Sequence, residues 1–255
     1  MPYVLHARSL TVRAGVRTLV SALELAVAPG EFIAVLGRNG CGKSLTLHTL
    51  AGLRAADGGE VELAGQDLTR TPRRRVAQLL GLLPQDREEA LPSTAFEAAL
   101  LGRHPHQSPW RGTSGADREL ATASLERLGV GAHAARPLTT LSGGEQRRAA
   151  MAALLTQQPR LYLLDEPTNH LDPHHQIEVL NLFRGLCDQD AAVIATLHDP
   201  ALAERYADRV LLLHGDGRWQ LGPVAQLLNA VELSALYRTP ISELGTPGWR
   251  AFIPS

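Results

Sequence analysis

Gly37-Arg38-Asn39-Gly40-Cys41-Gly42-Lys43-Ser44 follows directly on the apolar run Phe32-Ile33-Ala34-Val35-Leu36, and here residue type and spacing admit a definite chemistry. The pattern is G-x-x-x-x-G-K-S, set between a buried strand and a helix-forming stretch from Leu45 to Leu53. Glycines let backbone amides turn inward around phosphate oxygens, where a Cβ would block the approach. The helix start adds partial positive charge. Lys43 supplies a mobile full charge for the terminal phosphates, and the Ser44 hydroxyl is a ligand for Mg²⁺. The expected ligand is a nucleoside triphosphate with its magnesium ion, and this stretch alone leaves kinases, small GTPases and many ATPases open.

Three more strand-like runs end in polar groups. Leu161-Tyr162-Leu163-Leu164 runs into Asp165-Glu166-Pro167, which reads as a strand buried on both faces with carboxylates at its C-terminal edge. Asp165 there can hold Mg²⁺, usually through water, and Glu166 can act as base on the water that attacks the γ-phosphate. Ala192-Val193-Ile194-Ala195-Thr196-Leu197 delivers His198 to the same edge as a γ-phosphate contact. Gln85, after Leu82-Leu83-Pro84, sits at a fourth edge and can ligate Mg²⁺ or the attacking water.

A second phosphate-cradling stretch, Leu141-Ser142-Gly143-Gly144-Glu145, opens a helix-forming segment about a hundred residues later. Ser142 can cap a helix beginning near Glu145, two glycines expose amides to an anion, and Arg147 and Arg148 add positive potential. One nucleotide needs one cradle. A chain with both binds ATP with the first and covers the ATP of a second copy with the other.

Positioning these groups calls for an α/β fold. Residues 1 to about 30 alternate weakly, with turns at Ala14-Gly15 and Pro29-Gly30, so they read as antiparallel strands, as does Gly59-Glu60-Val61-Glu62-Leu63. Residues 86–158 carry few strand-like runs; helices are expected at Ala95–Leu101 and Asp117–Leu128, joined by a Gly/Pro/His-rich loop over 102–116. Strand–helix alternation then resumes, with a helix from Pro173 to Leu186 capped at Asp172-Pro173. The organisation is one domain: a core over 1–85 and 159–236, an inserted helical block over 86–158, and a C-terminal extension over 237–255.

Composition narrows the partners. The 255 residues are 44% hydrophobic and 4% aromatic, with net charge −1 and both signs interspersed, which argues against a nucleic-acid surface. Arg73-Arg74-Arg75 reads as a solvated helix start. No run of 18 apolar residues occurs, and no N-terminal apolar segment follows a charged start, so a soluble intracellular subunit is expected. Two cysteines suit a reducing cytosol. Cys41, among amides and beside Lys43, is expected to have a lowered thiol pKa. His170, His174 and His175 lie beside Asp172-Pro173, where solvated or subunit-contact roles outweigh a zinc site.

In the order and spacing of these motifs the chain resembles ABC-type ATPases, the nucleotide-binding subunits of ATP-binding-cassette transporters, over roughly Val4 to Leu236. The matching positions are the Walker A stretch 37–44, the Q-loop Gln85, the signature Leu141-Ser142-Gly143-Gly144-Glu145, Walker B ending at Asp165-Glu166, the D-loop Leu171-Asp172 and the switch His198. The resemblance implies a P-loop NTPase core of RecA-like type. It implies that Glu166 activates water and that His198 holds the γ-phosphate and that water. Ser142, Gly143 and Gly144 would clamp the nucleotide of a partner subunit, with Asp172 at the dimer interface. Implied partners are a second copy, integral-membrane permease subunits and a substrate-binding protein, with the chain peripheral on the cytoplasmic face of the membrane.

Relatives often stack an aromatic residue on adenine; here that position falls on Arg13 or Ala14, which implies weak base discrimination. Leu100-Leu101-Gly102-Arg103-His104-Pro105-His106 is similar to a "GR-x-P" stretch of uptake cassettes for iron chelates, haem and cobalamin. A cassette for another cargo, an exporter, or a soluble non-transport ABC ATPase are the alternatives.

Overall fold

The computed structural model describes residues 3–85, 93–107, 112–246 and 249–255. The acidic stretch Asp86-Arg87-Glu88-Glu89, expected to face a membrane partner, lies outside them.

Two sheets and a set of helices share two apolar layers. Strands β1 (Leu5–Ala14), β2 (Arg17–Val27), β4 (Gly58–Leu63) and β5 (Gln66–Asp67) form an antiparallel sheet in the order β2-β1-β4-β5. The central sheet has the order β10-β9-β3-β8-β7-β6. Its members are β3 (Phe32–Leu36), β6 (Leu80–Leu83), β7 (Leu161–Leu164), β8 (Ala192–Thr196), β9 (Arg209–Leu213) and β10 (Trp219–Pro223). All are parallel to their neighbours except β10, which runs antiparallel to β9.

Strands β3, β7 and β8 are buried throughout, as their unbroken apolar runs require. The twofold alternation of side chains divides them between layers. Phe32, Ala34 and Leu36 pack with Tyr162, Leu164, Val193 and Ala195 on one face, while Ile33 and Val35 pack with Leu161, Leu163 and Ile194 on the other. The second layer is shared with the antiparallel sheet and with α1 (Lys43–Leu50). The first is covered by α5 (Gly143–Gln157), α6 (Pro173–Cys187) and α7 (Pro200–Tyr206), with Phe183 of α6 meeting Tyr162 edge-on at 5.5 Å. Each fully buried side chain of this kind contributes about 1.5–3 kcal/mol.

Between β6 and β7 every regular element among the described residues is helical: α3 (Ala95–Leu101), α4 (Gly115–Arg127), α5 and three short 3-10 turns. Helix α2 (Arg73–Leu79) precedes β6. The chain ends in α8 (Val224–Leu227), α9 (Ala230–Tyr237) and a hairpin of β11 (Ile241–Thr246) and β12 (Trp249–Pro254).

Several helix boundaries move from their expected places, and the caps explain it. Helix α1 starts at Lys43 rather than Leu45 because Gly42, left-handed at φ 106°, is its N-cap. Helix α4 starts at Gly115 because Ser114 and Asp117 close a reciprocal capping box. Helix α5 starts at Gly143, so the signature glycines are its first turn rather than a preceding loop.

The Gly-Arg-x-Pro stretch turns out to be a packing joint. A Cβ on Gly102 would collide with the Ala153 carbonyl oxygen of α5 at 2.0 Å. Arg103 binds Asp117 at 2.8 Å and the Thr156 carbonyl at 3.2 Å, and His106 meets the Gln157 carbonyl at 2.8 Å. The Pro105 carbonyl accepts from Arg74 and Gln78, tying the helical block to α2. Arg74 is exposed, as expected of a solvated helix start, and also bonds across elements.

Candidate functional site

Because β3, β6, β7 and β8 run parallel, their C-terminal ends emerge along one edge, where ligands of open α/β sheets bind. The loop after β3 is shaped by its glycines. A Cβ on Gly37 would meet the Leu213 carbonyl oxygen of β9 at 2.5 Å, so only glycine allows the loop to leave the sheet there. Gly40 has open space around it and is instead required by φ 73°. Lys43 is buried and donates from Nζ to the Gly37 carbonyl at 2.8 Å, folding back over its own loop.

Cys41 departs from expectation. It is buried in the layer below the loop, and burial pushes its thiol pKa up, with Lys43 offsetting only part of the effect. A desolvated thiolate costs more than the nearby ammonium recovers.

Glu166 is the hub of the edge. It is buried, with its backbone left-handed at φ 50°, a conformation that costs a non-glycine residue about 1–3 kcal/mol. Its Oε1 lies 2.6 Å from His198 Nε2, and its Oε2 accepts from Gln85 Nε2 at 2.9 Å and from the Asn169 amide. Gln85 Oε1 in turn accepts from the Ser44 hydroxyl at 3.3 Å. A chain of hydrogen bonds therefore runs from the Walker A helix through Gln85 and Glu166 to His198.

Asp165 is fully buried beside it. Its Oδ1 accepts from Thr196 Oγ1 at 2.7 Å, and Thr196 Oγ1 accepts from the Glu166 amide at 2.7 Å. Asp165 Oδ2 is buried without a hydrogen-bond partner among the described residues. That orphaned carboxylate oxygen, with the Ser44 hydroxyl and Gln85 Oε1 that meet each other on the same sheet edge, makes an all-oxygen donor set of the kind that suits a hard divalent cation. Among the described residues no three or more His, Cys, Asp and Glu side chains cluster for a metal. One carboxylate plus neutral oxygens is the pattern expected of an ion completed by water and phosphate.

Two residues of this edge, Thr196 and Asn169, had no role in the sequence analysis, and a third, Arg147, had a different one. Thr196 had a signal, a hydroxyl closing an otherwise apolar strand. Asn169 had none. Arg147 stands four residues before Met151 and seven before Leu154 on the inner face of α5, an improbable place for a solvated cation. It is buried, and its guanidinium donates to the carbonyls of Pro84 at 2.5 Å, of Glu166 at 3.0 Å and of Asp165. Its expected contribution of open positive potential near the signature gives way to a clamp between α5 and the loops after β6 and β7. The desolvated charge is offset by carbonyls around it.

Ser142 caps the start of α5, and Gly143 and Gly144 form its first turn. Ser142 is exposed and forms a capping box: its Oγ accepts from the Glu145 amide at 3.4 Å, and Glu145 Oε2 accepts from the Ser142 amide at 2.6 Å. That bond, with the lesser field of His133, holds the Glu145 carboxyl below its usual pKa. Asp172 caps α6, accepting from the His175 amide at 3.0 Å, while its Oδ2 meets His175 Nδ1 at 2.7 Å. His174 faces Glu178 at 3.3 Å. Arg13 and Ala14 are exposed at the β1–β2 turn, where the neighbouring Val16 is fully exposed too.

A glycine-cradled loop after one parallel strand, with carboxylates, an amide and an imidazole at the ends of three others, defines a P-loop nucleoside triphosphatase. A sequence profile described as ABC transporter matches residues 20–169. The chain belongs to the ABC transporter family and is an ATP-hydrolysing subunit coupled to transport. It is 41% identical over 223 residues to the "Hemin import ATP-binding protein HmuV" of Gloeobacter violaceus, covering 84% of this chain and 80% of that one. It is 39% identical to the protein of the same name in Pseudomonas fluorescens, covering 92% of each.

A solved inward-facing conformation of a metal-chelate type ABC transporter superposes with a TM-score of 0.85 at 27% identity, covering 99% of this chain and 97% of that chain. For cbiO1 of Clostridium perfringens the TM-score is 0.76 at 22% identity, over 91% and 93% of the chains, a likeness of fold alone. That neighbour is described as part of the ABC transporter complex cbiONQ. Among the described residues no helix is long and apolar enough to cross a membrane.

Proposed function

We propose that two copies of this chain enclose two ATP molecules, each held between residues 37–44 of one copy and Ser142, Gly143 and Gly144 of the other, with Asp172 at the contact. The observation that carries this is the division of labour described above. Glu166, His198, Gln85 and Ser44 form one hydrogen-bonded edge, while Ser142, exposed at the start of α5, presents a second, preformed cradle.

Within one site, the loop amides and Lys43 hold the phosphates. Ser44, Gln85 and Asp165 would hold Mg²⁺, which supplies charge neutralisation on the β- and γ-oxygens. Glu166 takes a proton from the attacking water onto its carboxylate, which His198, Gln85 and Asn169 hold in orientation. His198 then holds the γ-phosphate. Loss of that phosphate removes the charge joining the two copies, and the helical block 86–158 moves against the core 1–85 and 159–236.

The cargo reading rests on relatives rather than on this site. Named hemin importers at 37–41% identity support import of haem, within the wider class of iron chelates and cobalamin. The chain then sits on the cytoplasmic face of the membrane, held by its permease and served by a substrate-binding protein. The test is Glu166→Gln. It is expected to bind Mg-ATP, to run as a dimer in size exclusion, and to lose turnover by about a thousandfold. A variant that stays monomeric at high concentration with Mg-ATP, alone or with its permease, would sink the composite site.

A further inference from the structure

The C-terminal hairpin has no part in the reading above, yet it forms one wall of a cavity of about 520 Å³ whose opposite wall is the ATP edge. Ile241, Phe252 and Pro254 line it on the hairpin side, with Gly37, Asn39 and His198 across from them. We propose that β11–β12 is a brace that sets the position of His198, acting through Arg250 and the helix α7.

Helix α7 begins two residues after His198 and is started by Asp199, whose side chain accepts from the Ala201 amide at 2.8 Å. Its far end is held by the hairpin. Arg250 Nε donates to Glu204 Oε1 at 2.5 Å, and the Arg250 amide donates to Glu204 Oε2 at 3.2 Å. The same guanidinium reaches Glu243 Oε1 of β11 at 3.0 Å and lies 5.5 Å from the Phe252 ring centre. The Arg250 and Glu204 side chains are only 10% and 4% exposed, so the pair is desolvated and breaking it is costly. A seven-residue helix pinned at Glu204 transmits that position to His198, and His198 lies 2.6 Å from Glu166. Arg250 touches no reacting group and is a positioning residue.

This rests on the reading that Glu166 and His198 carry hydrolysis. The experiment compares Arg250→Ala, Arg250→Lys and Glu166→Gln in the full chain, following kcat, KM and Mg-ATP affinity by competition with a fluorescent nucleotide. Arg250→Ala is expected to lower kcat about tenfold while affinity stays within about twofold, and Arg250→Lys to recover most of the loss. Unchanged kcat in Arg250→Ala overturns the brace, and so does a parallel fall in affinity, which marks a merely structural role. Should Arg250→Ala not fold, Glu204→Gln is read by the same criteria. If Glu166→Gln hydrolyses ATP at the parent rate, the hydrolysis reading itself falls. If that variant is inactive and Arg250→Ala is unaltered, the brace alone falls.

Discussion

The two corners of this chain assigned above to nucleotide handling are built by opposite means. The edge around Glu166 is assembled from the ends of four strands, and its hydrogen bonds join residues far apart in sequence: Gln85 to Glu166, Thr196 to Asp165, His198 to Glu166. The signature corner is local. Ser142 and Glu145 cap each other across three positions, and little else in the fold is needed to shape the first turn of α5. Asp165 and Glu166 at the heart of the first are buried and Glu166 is strained, with Gln85 and His198 exposed at its rim, whereas Ser142 of the second is exposed and its two glycines half-buried. Strain and burial suit a site that must hold a carboxylate in one orientation, whereas exposure suits a surface that must meet another molecule.

Substituting a single hydroxyl should break the buried edge most severely. Thr196→Val keeps shape but removes both bonds to Asp165 and the Glu166 amide. A destabilisation of about 2–3 kcal/mol in urea titration is expected, with phosphate release slowed about a hundredfold. A variant with parent turnover would mean that the Asp165–Glu166 geometry does not depend on its neighbour strand.

The local corner should behave differently. Ser142→Ala is expected to cost about 1 kcal/mol of stability, the loss of one cap, and to slow turnover about tenfold while ATP affinity at low protein concentration stays unchanged. If affinity fell in the isolated protomer, Ser142 would belong to the same site as Lys43, and the contrast between the corners would vanish.

The smallest effect concerns pH. Asp117 has its carboxyl pulled down to about 2, chiefly by the hydrogen bond from Arg103 and then by the Ser114 cap. A carboxyl depressed in the folded chain contributes stability above its unfolded value, about 4, and loses it as pH falls toward the folded value. Asp117→Asn is therefore expected to flatten the acid limb of stability between about pH 4 and 2, read by urea midpoints at each pH, and to leave neutral turnover alone.

How much of this was legible beforehand depended on whether the information was local. The glycine pattern at 37–42, the apolar strand runs and the Asp172-Pro173 cap all announce themselves within a few residues, and the structure keeps them. Arg147 did not, since a cation inside a helix says nothing about which carbonyls will surround it. Cys41 misled for a related reason: its neighbours in sequence are amides and a lysine, but its neighbours in space are the apolar residues of the layer beneath. The C-terminal hairpin carried no motif at all.

From the sequence alone came the strands that carry the site, β3, β6, β7 and β8, with the phosphate-binding chemistry and the family, because backbone conformation and residue type over eight or ten positions suffice for each. The tertiary structure decided which side chains share the charge of Glu166, which cation is buried, and that the last strands face the ATP edge. Those outcomes depend on desolvation and on contacts between segments whose separation along the chain carries no trace of their distance in space.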